Sequence, residues 1–172
     1  MNSPSPSAEH NKTASRLLDQ INAAISGPSS TRPPGKVVQL LRADSDHYDW
    51  VGIYLVKGDS LILAAYAGDA ETEHIKIPIG QGICGLAAKQ GATVVVPDVS
   101  EDPRYLMCFP STRSEIVVPI KAGNKVLGEI DIDSDRLSAF TGQDRHVLES
   151  AATTLASYLE KQDSVSQSHG DL

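Results

Sequence analysis

At 172 residues, 40% hydrophobic and 22% charged, the chain is sized for one domain with a real core. A net charge of −7 with no Lys/Arg cluster argues against a nucleic-acid surface, and no apolar run approaches a membrane span. Met1 to Lys12 holds no apolar segment of secretory type, so the chain reads as cytoplasmic.

Met1 to Ala8 is Ser/Pro-rich and reads as disordered, giving a tail over residues 1–10. From Asn11 to Ser26, the residues Ala14, Leu17, Leu18, Ile21 and Ile25 fall at helical spacing. A breaker run, GPSSTRPPG, ends at Gly35. A second helix over Gly35 to Asp44 follows, with Val37, Val38, Leu40 and Leu41. Tyr48 to Val56 predicts the first strand, and Lys57-Gly58-Asp59 turns it into a second, Ser60 to Tyr66. In the first strand Val51, Ile53 and Leu55 share one face, and Trp50, Gly52 and Tyr54 share the other. Two aromatics flanking a glycine on one face suit a ligand floor, although a helix covering them would leave the same pattern.

His74 to Ile79 predicts a short third strand, then GQGICG at Gly80 to Gly85, a helix over Leu86 to Gln90 and a strand over Thr93 to Pro97. The pattern G-x-G-x-x-G raises a dinucleotide site. The helix is too short for a parallel crossover, and the surrounding strands read as antiparallel hairpins, so we reject it. A helix N-terminus there would favour an anion, and would favour the thiolate of Cys84. Asp98 to Thr112 is a long loop that carries Cys108, with Arg104 and Arg113 near in sequence as candidate thiolate stabilisers. Taken alone, Cys108 between Met107 and Phe109 reads better as a buried small hydrophobe.

Glu115 to Lys121 predicts the fifth strand, with Pro119 marking an edge or a bulge, and Ala122-Gly123-Asn124 makes a hairpin turn. The last strand, Lys125 to Asp133, alternates: Val126, Gly128, Ile130 and Ile132 on one face, Leu127, Glu129, Asp131 and Asp133 on the other. Carboxylates in a row repel one another, and buried ones must be paired or protonated. They make either a wet sheet face or a pocket wall that holds a cation or shares a proton. Thr141 to Asp144 has the form of a helix start, and Val147, Leu148, Ala151, Leu155 and Leu159 form the stripe of a closing helix over Gln143 to Glu160. A polar tail occupies residues 162–172.

The order predicts an α+β domain over residues 11–161: an antiparallel sheet of about six strands, terminal helices on one face, loops and a short helix over a ligand pocket on the other. The pocket face collects Trp50, Tyr54, Glu115, Asp131 and Asp133 beneath the Cys108 loop. Cys84 and Cys108 are the only cysteines, too few for a secreted disulfide framework and not spaced as a zinc pair.

The stretches YDWVGIYLVKGD, IPIGQGICGLAA, VPDV, SEIVVPI after Cys108, and VLGEIDIDS resemble the GAF domain family over about Leu17 to Glu160. Within it they are most similar to the free methionine-(R)-sulfoxide reductases. That resemblance implies a catalytic cysteine at Cys108, a resolving cysteine at Cys84, an aromatic cage of Trp50 and Tyr54, and acidic substrate contacts at Glu115, Asp131 and Asp133. It implies a disulfide recycled by thioredoxin, with no metal or bound organic cofactor, and it allows a homodimer. Two departures stand out. His74 occupies a position where many members carry a further cysteine, and Arg104-Tyr105-Leu106-Met107 replaces the usual Gly-His-Ile-Ala type run. The rival readings are a non-catalytic sensor that binds some other small molecule and signals to a partner, and a nucleotide-binding module, which the acidic pocket disfavours.

Overall fold

The computed structural model describes residues 6–26 and 33–168. The elements are α1 (Pro6–Ser26), α2 (Pro33–Asp44), β1 (Trp50–Lys57), β2 (Ser60–Ala67), β3 (Lys76–Pro78), α3 (Gly82–Gln90), β4 (Val94–Val96), β5 (Ser114–Ala122), β6 (Lys125–Ser134) and α4 (Gly142–Ser168). One turn of 3₁₀ helix, Val99–Glu101, interrupts the long loop before β5. The strands form one sheet in the order β3-β2-β1-β6-β5-β4. Every pairing among the described residues is antiparallel, so GQGICG does not sit in a parallel crossover.

The helices begin earlier than periodicity implies, and α4 also ends later. Pro6 and Pro33 open α1 and α2, where a fixed φ and a missing N–H cost a helix nothing. Pro6 to Ala8, expected as tail, are therefore helical, while residues 1–5 and the run 27–32 lie outside the described residues. Thr141 caps α4 reciprocally: the Asp144 N–H donates to the Thr141 hydroxyl at 3.3 Å and the Thr141 N–H donates to Asp144 at 2.8 Å. No Gly or Pro follows until Gly170, and α4 runs through Ser168 instead of ending before a tail at Gln162. Residues 169–172 lie outside the described residues.

α1, α2 and α4 bury Leu17, Ile21, Val37, Leu41, Leu148 and Leu155 against Val51, Ile53, Ile116, Val118, Ile130 and Ile132 of the central strands. The opposite face is a second, smaller core, where α3 and the loop before β5 pack Ile83, Cys84, Ala87 and Val99 onto Trp50, Tyr54, Leu61 and Val117.

Two bulges break the alternation. The β1/β2 register jumps from Ile53↔Ala65 to Tyr54↔Leu63, and the β5/β6 register from Ile120↔Gly128 to Lys121↔Val126. An extra residue in one strand turns the side chains beyond it to the other face. Val126, expected beside Ile130, therefore packs with the α3 side. Pro119 pairs with Glu129 on β6, while the β4 ladder ends at Val94↔Val117, so Pro119 lies where β5 has become a local edge.

Candidate functional site

The ladder across β1, β6 and β5 stacks three rows: Trp50, Asp133 and Glu115; Gly52, Asp131 and Val117; Tyr54, Glu129 and Pro119. Alternation aims the carboxyls of these rows at the α3 side. Gly52 is required there, because a Cβ would sit 2.4 Å from the Trp50 ring, which lies across it. Trp50 stacks on Tyr66 at 6.0 Å between centroids and leans on Phe109 at 5.7 Å, while its Nε1–H donates to the Ala70 carbonyl at 3.2 Å. The Tyr54 hydroxyl donates to the His74 carbonyl at 2.9 Å, tying the sheet to the segment before β3.

Four carboxyls converge on this face, all buried: Glu115, Glu129, Asp131 and Asp133. Both oxygens of Glu129, both of Asp133 and Oδ1 of Asp131 have no hydrogen-bond partner. Buried acids without partners hold their protons. Burial pushes Asp131 up to about 7. Burial, reinforced by Asp131, carries Glu115, Asp133 and Glu129 well above the carboxylate range. Because the groups interact, the first proton to leave near neutrality belongs to the cluster as a whole, with Asp131 its easiest donor.

Cys84 lies near the start of α3, beginning at Gly82 rather than Leu86, and its Sγ–H donates to Glu115 Oε1 at 3.9 Å. Cys108 is half-buried in the loop; its N–H donates to the Tyr105 hydroxyl at 3.4 Å and its thiol to the Leu106 carbonyl at 3.5 Å. Two expectations about the thiols are corrected. The helix N-terminus does not lower Cys84, because burial and then Asp131, Glu129 and Glu115 push it well up. Neither arginine lowers Cys108: Arg104 is taken by Asp102, at 2.5 Å and 2.8 Å, and burial with Asp131, Asp133 and Glu115 raises the thiol.

Cys84 and Cys108 line the same cavity, of about 10 Å³, with Glu115, His74, Gly82 and Leu106. A second cavity of about 120 Å³ is lined by Trp50, Asp69, Phe109, Thr112, Asp133 and Asp135. The same loop lines both, through Leu106 and Cys108 in the first and Phe109, Ser111 and Thr112 in the second. The His74 Nε2–H donates to the Met107 carbonyl at 3.1 Å, and Leu106 presses on Gly82, where a Cβ would meet it at 2.8 Å. These two contacts hold the loop shut. The smaller space holds roughly one water, so a larger ligand requires the loop to shift and join the cavities. Larger clefts of about 430, 440 and 550 Å³ lie elsewhere and contain neither cysteine nor any of the four carboxyls.

The fold thus gathers Trp50, Tyr54, Glu115, Asp131, Asp133, Cys84 and Cys108 on one side of the sheet. Two residues left out of the sequence-derived set belong with them. Glu129 alternates in phase with Asp131 and Asp133, a signal present in the sequence. His74 reaches Met107 across 33 residues, which nothing in the sequence announces. Cys84, Glu115 and Asp131 also offer ligand atoms within 4.8 Å of one another, as a cation site would.

Residues 36–159 match the GAF domain, and the chain belongs to the GAF domain family. Among its relatives is the free methionine-R-sulfoxide reductase of Escherichia coli, 31% identical over 67% of this chain and 68% of that protein. The type II free methionine-R-sulfoxide reductase of Thermoplasma acidophilum superposes with a TM-score of 0.70 at 37% identity, over 87% of this chain and 96% of that one. The free methionine-R-sulfoxide reductase of Neisseria meningitidis, solved in complex with its substrate, superposes at 0.78 with 28% identity, over 96% of both chains.

Proposed function

We propose that the protein is an oxidoreductase that reduces free methionine-(R)-sulfoxide to methionine. Two thiols lining one cavity, against a buried wall of unpartnered carboxyls, carry this reading. The likeness to several reductases of that substrate supports it. Trp50 and Tyr54 enclose the methyl and methylene groups of the substrate. Asp131, the acid that ionises nearest neutrality, takes the ammonium. Glu115 or Asp133, protonated by its surroundings, donates to the sulfoxide oxygen and makes the sulfur electrophilic.

The Cys108 sulfur attacks that sulfur, and its proton passes to the carboxyl cluster. The S–O oxygen ends on Cys108 as a sulfenic acid, and methionine leaves. Cys84 then displaces this hydroxyl as water, forming a Cys84–Cys108 disulfide that thioredoxin reopens by exchange at the expense of its own dithiol. Burial keeps both thiols protonated at rest, so attack waits on substrate, which brings a cation into the cluster.

In a thioredoxin-coupled assay with free L-methionine-(R)-sulfoxide, the wild type should consume NADPH and Cys108→Ser should not. A wild type that binds a different metabolite and leaves the sulfoxide untouched would make the domain a sensor instead.

A further inference from the structure

The cluster at the base of the cup also has the donors of a metal site. We infer that the reduced protein binds one thiophilic divalent cation, of the zinc or cadmium class, through Cys84, Glu115 and Asp131. The ion is an inhibitor of the redox pair rather than a cofactor.

Among the described residues these three offer one sulfur and two oxygens, all within 4.8 Å of one another. Cys84 Sγ lies 3.9 Å from Glu115 Oε1. A tetrahedral zinc ion with sulfur at about 2.3 Å and oxygen at about 2.1 Å spans an S–O edge of roughly 3.6 Å. The Cys84–Glu115 edge therefore needs to close by only a few tenths of an ångström, and the edges to Asp131, within 4.8 Å, by about 1 Å at most. An independent observation points to a ligand: Oδ1 of Asp131 has no hydrogen-bond partner although the residue is 1% exposed. Glu129 and Asp133 leave four further carboxyl oxygens unpartnered beside it, so the cluster lacks positive charge.

One thiolate with two carboxylates selects a borderline-soft ion over magnesium or calcium, which take oxygen donors alone. On binding, the thiol and the two carboxyls release their protons to solvent, and the ligands' three negative charges are offset by the ion's two positive ones. Two of the ligands, Cys84 and Glu115, line the cavity that Cys108 shares. The consequence rests on the proposed reaction: a Cys84 sulfur bound to metal cannot displace the hydroxyl from Cys108, so the cycle stops before the disulfide.

The test uses the full chain, fully reduced and stripped of metal. Cadmium is titrated in while the thiolate-to-cadmium charge-transfer absorption is followed, and zinc affinity is measured by competition with a chromophoric chelator. We expect one equivalent to bind with that absorption, Cys84→Ser to abolish it and Cys108→Ser to retain it. Asp131→Asn should weaken zinc binding by at least about 10-fold, the loss that even outer-shell changes produce. Zinc should raise the melting temperature of the reduced wild type and leave that of Cys84→Ser unchanged. Absorption that survives Cys84→Ser, equal affinity in Asp131→Asn, or a wild type without the absorption would each overturn the inference. None of these readings uses turnover, so the metal site and the reductase activity can fail separately.

Discussion

The two faces of the sheet are built from the same central strands and are opposite in kind. Toward α1, α2 and α4, β1, β5 and β6 present Val51, Ile53, Ile116, Val118, Ile130 and Ile132, an aliphatic layer that buries without cost to any polar group. Toward α3 and the loop, the same strands present Trp50, Tyr54, Glu115, Glu129, Asp131 and Asp133. Leaving acids buried without partners costs stability. The aliphatic face offsets that cost, which is how a small domain can keep a reactive pocket closed over protonated acids. Strand alternation makes the division possible, since each residue added to the core on one side is followed by one available to the site on the other.

The largest effect that sharpens this contrast should come from the aliphatic side. Ile132→Ala, at a fully buried position, should cost about 2–5 kcal/mol in urea unfolding, while the folded fraction keeps its affinity for substrate. Loss of affinity without loss of stability would mean the two faces are not separable.

The acid side should respond to pH instead. In the unfolded chain Asp131 ionises near 3.8, and in the fold near 7. Below the lower value both states hold the proton. As pH rises toward the upper value the unfolded chain has released a proton that the folded chain keeps, so stability falls. Glu115, Glu129 and Asp133 are raised too and extend the fall upward. The melting temperature should therefore drop from about pH 4 to about pH 7 and continue to fall above it, and Asp131→Asn should flatten that slope and weaken substrate capture together. A flat profile would place the carboxyls in water, and a slope of the opposite sign would place them in ion pairs.

A smaller effect is expected at Gly52. Gly52→Ala forces the Trp50 ring from its seat, since the added carbon would sit 2.4 Å from it. Overpacking of this kind costs about 1–3 kcal/mol. If Trp50 holds the substrate's methyl group, KM should rise more than kcat falls; an unchanged KM would remove the aromatic floor from the site.

Much of this arrangement is legible in the sequence. The alternation of Glu129, Asp131 and Asp133 against Ile130 and Ile132 is a local property, and it placed the acids correctly. What failed was whatever depends on which partner a side chain meets once the chain has folded. Val126 changed face because β6 carries an extra residue, Leu127, against β5, which shifted the register. Arg104 looked close to Cys108 in sequence, yet Asp102, two residues away, claims it first. Cys84 sits near a helix start as expected, but the field it feels comes from β5 and β6, and helix propensity carries no information about that. The loop closure by His74 follows the same rule, being a contact made only after folding.

The central claim is that Cys84 and Cys108 form one working pair. The most direct measurement is the intact mass and peptide map of the reduced protein after exposure to free methionine-(R)-sulfoxide without reductant. A mass lower by two hydrogens, with Cys84 and Cys108 in a single cross-linked peptide, is the predicted result. Release of methionine that leaves a mass higher by one oxygen, with Cys84 still a free thiol, would contradict it, and so would an unaltered mass with no methionine formed.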